Sequence, residues 1–184
     1  MLEGKTVNLR VMEREDVDFR VECLNDPNCW GEYDIFPKQI SKSEWLKKFD
    51  NTQSSPNNRK VFIIQKKDGT RIGVVLHFTN EPFNLLEIGY YLITSERGKG
   101  YGTEAVRLMV DYLFLSQSII RIQAVTDVRN LASQKVLEKI GFKKEGVLRK
   151  SYYARGTWTD GYVYSILREE WKEPKILTKT EKTA

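Results

Sequence analysis

The sequence predicts an α+β (mixed α/β) fold in which one central sheet packs between layers of helices. Three observations support this prediction: amphipathic segments near the N-terminus, strand-like alternation over 61–93, and alternating helical and strand-like segments after that. The chain has 184 residues, of which 40% are hydrophobic, so it can enclose a core without disulfides. We therefore expect one domain over 1–172 and a flexible C-terminal tail over 173–184.

The N-terminal third is predicted to contain one strand and two helices. Residues 7–11 alternate like a strand, and the acidic run over 13–16 suits the positive end of a helix dipole. That helix is expected to end near Pro27. Ser41 and Glu44 have the spacing of a capping box, which predicts the start of the second helix.

The middle of the chain is predicted to be an antiparallel meander over 61–93. Within it, Asp68 and Gly69 are typical of a tight hairpin turn. After the meander, Asn130 and Gly141 have the residue types expected just before and just after a helix. The later elements are a helix over 102–116, a strand over 119–125, the helix that follows Asn130, and strands over 142–148, 151–155 and 162–167.

Composition and charge exclude several classes of protein. Cys23 and Cys29 are the only cysteines and lack the spacing of a CxxC zinc site, so we predict free buried thiols and no metal site. The formal net charge is +5, but the basic residues are scattered, which favours a solvated surface over a specific nucleic-acid partner. No segment has the length of a signal peptide or a membrane span, so we expect a cytoplasmic protein with no membrane partner.

Glycines alternate with other residues between the end of the meander and the next helix, where 97–103 read Arg-Gly-Lys-Gly-Tyr-Gly-Thr. Glycine permits a positive φ and a close backbone approach, and the helix adds the positive end of its dipole, so the segment predicts a pocket for phosphate oxygens. The P-loop, Rossmann and kinase patterns all fail to fit this spacing and context. The remaining pattern is R-x-x-G-x-G, formed by Arg97, Gly100 and Gly102.

With this motif, the sequence resembles the GNAT superfamily of acyl-CoA N-acyltransferases, whose pyrophosphate loop has the same pattern between a strand and a helix. The resemblance covers nearly the whole chain, and the segments 87–90, 138–146 and 160–167 look most like the RimJ/RimL (ribosomal-protein-alanine acetyltransferase) type. It implies a three-layer fold with a central, mostly antiparallel twisted sheet of about seven strands flanked by about four helices. It also implies acetyl-CoA as the cofactor and CoA as the product.

The resemblance further implies where acetyl-CoA binds. The strand that precedes the loop is expected to diverge from the strand over 119–125 and to pair with the pantetheine arm, while loop N–H groups hold the pyrophosphate. The expected cofactor contacts are Leu92, Ile93, Arg97, Gly98, Lys99, Gly100, Tyr101, Gly102, Thr103 and Asn130.

Two residues are expected to carry the acid–base chemistry. Glu87 lies in an otherwise apolar strand and is the candidate general base, directly or through water; alternatively it points outward or pairs with an arginine. Ser133 is the candidate proton donor near the sulfur, because Leu137 stands where polyamine acetyltransferases of the family carry a tyrosine; helix capping is the alternative role for Ser133. His77 is expected to be a satisfied core or edge histidine.

The acceptor side is predicted to be lined by aromatic residues. Trp30, Tyr33 and Phe36 come from a predicted surface loop over 29–40, and Tyr152 comes from the C-terminal hairpin. The favoured acceptor is the N-terminal α-amino group of a protein or peptide. The alternatives are an acceptor that is a small-molecule amine (polyamine, aminoglycoside or amino acid) and a non-catalytic acyl-CoA sensor. A homodimer is common in the family, but no residue marks an interface.

Overall fold

The computed structural model describes residues 1–30, 39–53, 59–80 and 85–172, together with 174 and 176. The predicted tail over 173–184 lies almost entirely outside this part of the chain. The described residues form eight strands and five α-helices. In chain order these are β1 (Leu2–Glu3), β2 (Val7–Val11), α1 (Val17–Asn25), α2 (Pro27–Trp30), α3 (Lys42–Gln53), β3 (Lys60–Lys66), β4 (Arg71–Asn80), β5 (Leu85–Leu92), α4 (Tyr101–Ser116), β6 (Arg121–Asp127), α5 (Leu131–Ile140), β7 (Lys143–Ala154) and β8 (Thr157–Leu167).

All eight strands form one sheet in the order β1-β2-β3-β4-β5-β6-β8-β7. Neighbouring strands are antiparallel except β5 and β6, which are parallel. The parallel pair is connected through α4, as parallel neighbours require a crossover. The predicted α+β fold with a mostly antiparallel sheet is confirmed.

Each face of the sheet has its own hydrophobic core. On one face, Leu108, Met109 and Leu113 of α4 and Leu137 of α5 are fully buried. On the other face, Val17, at the start of α1, packs in a smaller core with strand residues, against which the α3 side chains are also packed. The helical periodicity of these segments therefore directs their apolar stripes onto opposite faces, which gives three layers. No helix within the described ranges combines the length and the apolarity needed to cross a membrane.

The capping signals read from the sequence are present. The Ser41 hydroxyl oxygen accepts a hydrogen bond from the Glu44 main-chain N–H at 3.1 Å at the start of α3. Asn130 caps α5, and Gly141 ends it with a φ of +108°. Gly69 has a φ of +87° in the turn between β3 and β4, as the Asp-Gly pair predicts. Local chemistry was thus sufficient to locate these helix ends and this turn.

The structure differs from the prediction at four elements. The short strand β1 (Leu2–Glu3) was not predicted, and its pairing with β2 gives the described sheet eight strands where about seven were expected. A short helix, α2, occupies Pro27–Trp30, where a loop was expected, because proline suits the first position of a helix. The predicted strands over 142–148 and 151–155 form one strand, β7, with an irregularity between Leu148 and Tyr152. Strand β8 begins at Thr157 rather than at 162. Cys23 and Cys29 are buried and free, as predicted.

Candidate active site

The segment between β5 and α4 is an open turn shaped by glycine. Gly98 and Gly100 have φ values of +75° and +88°, a left-handed conformation that residues with a Cβ rarely adopt. A Cβ built on either glycine meets no heavy atom within 4 Å. The conformation of the chain therefore requires glycine here, and the space beside the turn is open.

Main-chain donors are concentrated at this turn. The first N–H groups of any α-helix lack partners within the helix, and α4 begins at Tyr101. The Arg97 N–H is not available, because it donates to the Thr94 carbonyl at 3.3 Å. Within the described part of the chain, the N–H groups of 98–103 have no recorded partner. Together with the helix dipole, these donors can bind a diphosphate. Of the predicted loop contacts, only the Arg97 N–H is already committed elsewhere.

The Arg97 side chain turns away from the loop and holds α2. Its Nε donates to the Leu92 carbonyl at 3.0 Å, and its Nη2 donates to the carbonyls of Asn28 and Cys29. The Thr94 hydroxyl also donates to the Asn28 carbonyl, at 2.8 Å. The arginine of the motif therefore anchors α2 beside the end of β5, which its position in the sequence could not indicate.

Strands β5 and β6 lie side by side at one end only. Their single bridged pair is Glu87 with Gln123. By contrast, β5 pairs with β4 along its whole length, from Leu85 to Leu92. Beyond Glu87, β5 and β6 continue toward the loop without pairing, so a gap opens between their C-terminal ends. The predicted divergence of these two strands is confirmed.

The two predicted main-chain contacts on β5 face different ways. The Ile93 N–H donates to the Ile72 carbonyl of β4 at 2.9 Å. Because main-chain groups alternate in direction along an antiparallel ladder, those of Leu92 and Tyr90 are directed toward the gap. The Leu92 carbonyl accepts a hydrogen bond from Arg97 Nε. The main-chain group of Leu92 that remains for the cofactor is therefore its N–H. The N–H of Ile93 is therefore not a cofactor contact, whereas Leu92 can be one.

Glu87 lies at the closed end of the gap, on the face of the sheet that carries α1 and α3. Its Oε2 accepts a hydrogen bond from Gln123 Nε2 at 3.2 Å, and its side chain is half-buried. The Gln123 amide is thus one partner of this carboxylate. A half-buried carboxylate at this position can accept a proton.

Ser133 lies on the opposite face, at the start of α5. Its N–H donates to Asn130 Oδ1 at 3.0 Å, so the cap is provided by Asn130 and not by the serine hydroxyl. Instead, Ser133 Oγ is 2.9 Å from the hydroxyl of Tyr90 on β5. Burial raises the pKa of Tyr90 to about 12, although the hydrogen bond with Ser133 opposes this shift. Tyr90 was not predicted as a site residue.

The C-terminal hairpin forms the other wall of the gap. The Tyr152 hydroxyl donates to the Val125 carbonyl of β6 at 2.9 Å. At the hairpin turn, Arg155 Nη2 donates to the Pro27 carbonyl at 3.2 Å, so the turn contacts the start of α2. Tyr152 therefore lies against β6, with its hydroxyl bound to the main chain, and its contact with the acceptor stays a prediction.

Asp127 ends β6 at the mouth of the gap, but it is not a free carboxylate. It accepts hydrogen bonds from the side chains of Arg129 and Thr159. Burial alone would raise the pKa of Asp127, but these hydrogen bonds outweigh it and lower that pKa. Asp127 is thus a fixed anion that orients Arg129, unlike Glu87. Among the described residues, no group of acidic, histidine or cysteine side chains could hold a metal ion.

Three of the predicted acceptor residues cannot be located. Tyr33, Phe36 and the side chain of Trp30 lie outside the described residues. On this side of the sheet, the structure shows Arg20 of α1, which is 3% exposed and stacks on Trp45 and Tyr91 at 5.3 and 5.1 Å. Its Nη1 donates to the Tyr91 hydroxyl. This buried guanidinium was not predicted from the sequence.

The prediction for His77 was wrong in one respect. It is buried in β4, at 1% exposure, but neither ring nitrogen has a hydrogen-bond partner in the described part of the chain. Burial lowers the pKa of His77 to about 4, and the charge of Lys60 lowers it further. His77 is therefore a neutral core residue whose nitrogens have no partner among the described residues.

The geometry above has the features of a cofactor site for an acyl carrier, and comparison with known proteins decides the family. Residues 6–143 match the family model described as an acetyltransferase (GNAT) domain. The chain belongs to the GNAT family. The probable N-acetyltransferase YjcK of Bacillus subtilis (strain 168) is 32% identical over 178 residues, which cover 92% of this chain and 98% of the relative.

Two solved structures have the same fold but differ in acceptor. A spermidine N-acetyltransferase from Vibrio cholerae, in complex with CoA and spermine, has a TM-score of 0.79 at 24% identity and covers 89% of this chain and 96% of its own. RimL, a ribosomal L7/L12 alpha-N-protein acetyltransferase in complex with coenzyme A, has a TM-score of 0.77 at 22% identity and covers 89% and 95%. The two likenesses show the fold and do not distinguish the acceptors.

This GNAT protein is an acetyl-CoA-dependent N-acetyltransferase, given the family match and the N-acetyltransferases among its relatives. The enzyme class and the cofactor predicted from the sequence are confirmed.

Proposed function

We propose that residues 1–172 form one catalytic domain that transfers the acetyl group of acetyl-CoA directly to the N-terminal α-amino group of a protein or peptide, as a RimJ/RimL-like enzyme. The observation that supports the use of this site is the combination of the open glycine turn with the gap between β5 and β6. The N–H groups of residues 98–103 bind the pyrophosphate, and Leu92 and Asn130 contact the pantetheine arm.

The two proposed catalytic residues lie on opposite faces of the sheet. This arrangement suits an amine that attacks the thioester carbon from one side and a sulfur that departs on the other. Alternation along β5 directs Glu87 to the α1 face and Tyr90 to the α5 face, where Ser133 lies. The amine therefore approaches from the α1 face, and Glu87 takes its proton, directly or through water. The departing sulfur lies on the α5 face, where the Ser133 hydroxyl donates a hydrogen bond to the developing thiolate.

Atoms and charges balance in this sequence of steps. The amine lone pair forms the N–C bond, and the carbonyl electrons move to oxygen and then re-form the carbonyl. The C–S bond breaks with its electron pair on sulfur, and the thiolate takes a proton from water after release. The amine proton leaves through Glu87 to solvent.

Charge at the mouth of the gap favours a peptide over a polyamine. The described side chains there include Arg97 and Arg155, while Asp127 and Arg129 form an ion pair with each other. A polyamine carries several ammonium groups and needs unpaired carboxylates to offset their charge. A peptide α-amino group brings one positive charge to the gap and needs one base, which is the role proposed for Glu87.

An acceptor panel tests this proposal. Thiol release from acetyl-CoA is measured with a peptide that has a free α-amino group, the same peptide acetylated at its N-terminus but retaining a lysine, and spermidine. We expect the free peptide to have the highest kcat/KM, at least about tenfold above spermidine, which corresponds to about 1.4 kcal/mol. A preference for spermidine or for the blocked peptide would contradict the proposed acceptor.

The role of Glu87 has its own test. Because general-base catalysis contributes about 10²-fold or more, Glu87→Gln should lower kcat by about that factor between pH 6 and 9. Glu145→Gln is the matched control, since Glu145 of β7 also belongs to the sheet but bonds to Arg121 of β6 and Ser165 of β8. Full turnover by Glu87→Gln would exclude Glu87 as the base.

A further inference from the structure

Two recorded hydrogen bonds of the Tyr90 hydroxyl join β5 to α5 in the described part of the chain. This hydroxyl is 2.9 Å from Ser133 Oγ and 3.3 Å from the Ser133 carbonyl oxygen. The two residues are 43 positions apart in sequence. The contact therefore depends on the packing of α5 against the sheet, and it lies on the face assigned to the departing sulfur.

The hydrogen bond leaves the serine proton free when the phenol is the donor, and in this pair of hydroxyls either oxygen is placed to donate. A phenol has one proton, and Ser133 Oγ can accept it while still donating its own. The main chain of Ser133 is already held, because its N–H donates to Asn130 Oδ1. In the arrangement in which the phenol donates, the backbone N–H and the side-chain oxygen of Ser133 are both held, and the serine proton is left for an acceptor in the gap.

Leu137 explains why a phenol from the strand matters here. Leu137 is one helical turn after Ser133, on the same side of α5, and is fully buried. No phenol can therefore come from that helical position. Tyr90 supplies a phenol to the same side of α5 from the neighbouring strand.

We propose that Tyr90 is a positioning residue for acetyl transfer: its hydroxyl donates to Ser133 Oγ and so directs the serine proton at the departing sulfur. This inference rests on the proposed role of Ser133 and deepens it. Tyr90 does not itself transfer a proton. Because burial keeps its pKa at about 12, the phenol stays protonated through pH 6–9, and its effect should be constant over that range.

A double-mutant cycle tests the proposal. The rate of the chemical step is measured in single turnovers for the parent, Tyr90→Phe, Ser133→Ala and the double variant, with CoA affinity and thermal stability measured in parallel. We expect Tyr90→Phe to slow the step about tenfold at every pH from 6 to 9, with CoA affinity changed less than twofold. Ser133→Ala should slow it at least as much, and the double variant should equal Ser133→Ala.

Tyr91→Phe is the matched control, because it removes a phenol hydroxyl from the next residue of the same strand. It should leave the chemical step unchanged. Multiplicative effects of Tyr90→Phe and Ser133→Ala, or no effect of Tyr90→Phe, would overturn the inference. An effect that vanishes or grows steeply with pH would assign Tyr90 a proton-transfer role instead and would also overturn it.

Three reactions keep this test separate from the acceptor proposal. The cycle is run with the peptide, with spermidine and with water as the acceptor of bound acetyl-CoA, since all three expel the same thiolate. If the parent acetylates spermidine and not the peptide, the proposed acceptor is wrong, while the cycle with spermidine still decides the role of Tyr90. The slow hydrolysis reaction decides it if neither amine is acetylated.

Discussion

Tyr90 and Tyr91 are neighbours on β5, yet their hydroxyls lie on opposite faces of the sheet with different partners. Tyr90 bonds to the Ser133 hydroxyl of α5, beside the gap. Tyr91 bonds to the buried Arg20 guanidinium of α1. Burial raises the pKa of both phenols.

The difference teaches that the surroundings, and not the residue type, determine what a buried phenol does. Ser133 is a neutral group with a proton of its own to direct. Arg20 is a cation whose Nε has no partner and for which the described residues provide aromatic rings instead of a carboxylate. We therefore expect the Tyr90 contact to affect rate and the Tyr91 contact to affect stability.

The largest effect on stability is expected at Arg20. Arg20→Ala removes a side chain that fills space between Trp45 and Tyr91 and leaves the Tyr91 hydroxyl without its donor. We expect it to lower the free energy of unfolding by about 3 kcal/mol, as for other large-to-small changes in a core. Urea denaturation measures this effect.

Arg14→Ala provides the control for that experiment. Arg14 is an exposed arginine paired with Asp50, so its removal should cost less than about 1 kcal/mol. Equal losses for the two arginines would show that Arg20 contributes no more than an exposed charge.

The next largest effect on stability is expected from a change in pH. It acts through His77, which lies on the face of the sheet that carries α4. His77 has a pKa of about 4 when folded, against about 6.5 in an unfolded chain. Below pH 6.5 the unfolded state binds a proton that the folded state does not, so stability falls as pH falls toward 4. From pH 7 to pH 5 this group should cost the protein about 2 kcal/mol.

Comparison with His77→Gln isolates that contribution. The parent should lose about 2 kcal/mol more than His77→Gln between pH 7 and pH 5, measured by urea denaturation at each pH. If the parent and His77→Gln lose the same free energy of unfolding between pH 7 and pH 5, the titration of His77 does not differ between the folded and unfolded states.

The smallest effect is expected from the two phenol hydroxyls themselves. Tyr91→Phe removes a hydrogen bond to a charged donor and should lower stability by about 1.5 kcal/mol. Tyr90→Phe removes a bond between neutral groups and should lower it by less than about 1 kcal/mol. Thermal unfolding of both variants measures the difference, and the reverse order would contradict the assignment of roles to the two faces.

Local features of the site could be predicted from the sequence. A positive φ at Gly98 and Gly100, the capping of α5 by Asn130 and the hairpin turn at Gly69 depend on a few adjacent residues. The order of the elements followed from periodicity, and the divergence of β5 from β6 followed from the family resemblance.

Features that depend on register or on distant contacts could not be predicted. The Ile93 N–H is bonded to β4 because of the pairing between two strands, and the Arg97 side chain holds α2 through contacts 68 and 69 residues away. Tyr90 was missed because its partner is 43 positions distant. The sequence contained one signal for Tyr90. It lies two positions after Ile88 on the same strand, so the two side chains share the face of the sheet that is buried in the core.

The most direct test of the account is the affinity for CoA of two glycine variants. Gly100 and Gly69 have φ values of +88° and +87°, and neither has a heavy atom within 4 Å of a built Cβ. Alanine at either position should cost about 1–2 kcal/mol of strain. Calorimetric titration should show at least tenfold weaker CoA binding for Gly100→Ala and unchanged binding for Gly69→Ala. Equal affinities in the two variants would contradict the binding of the diphosphate by the turn over 98–103.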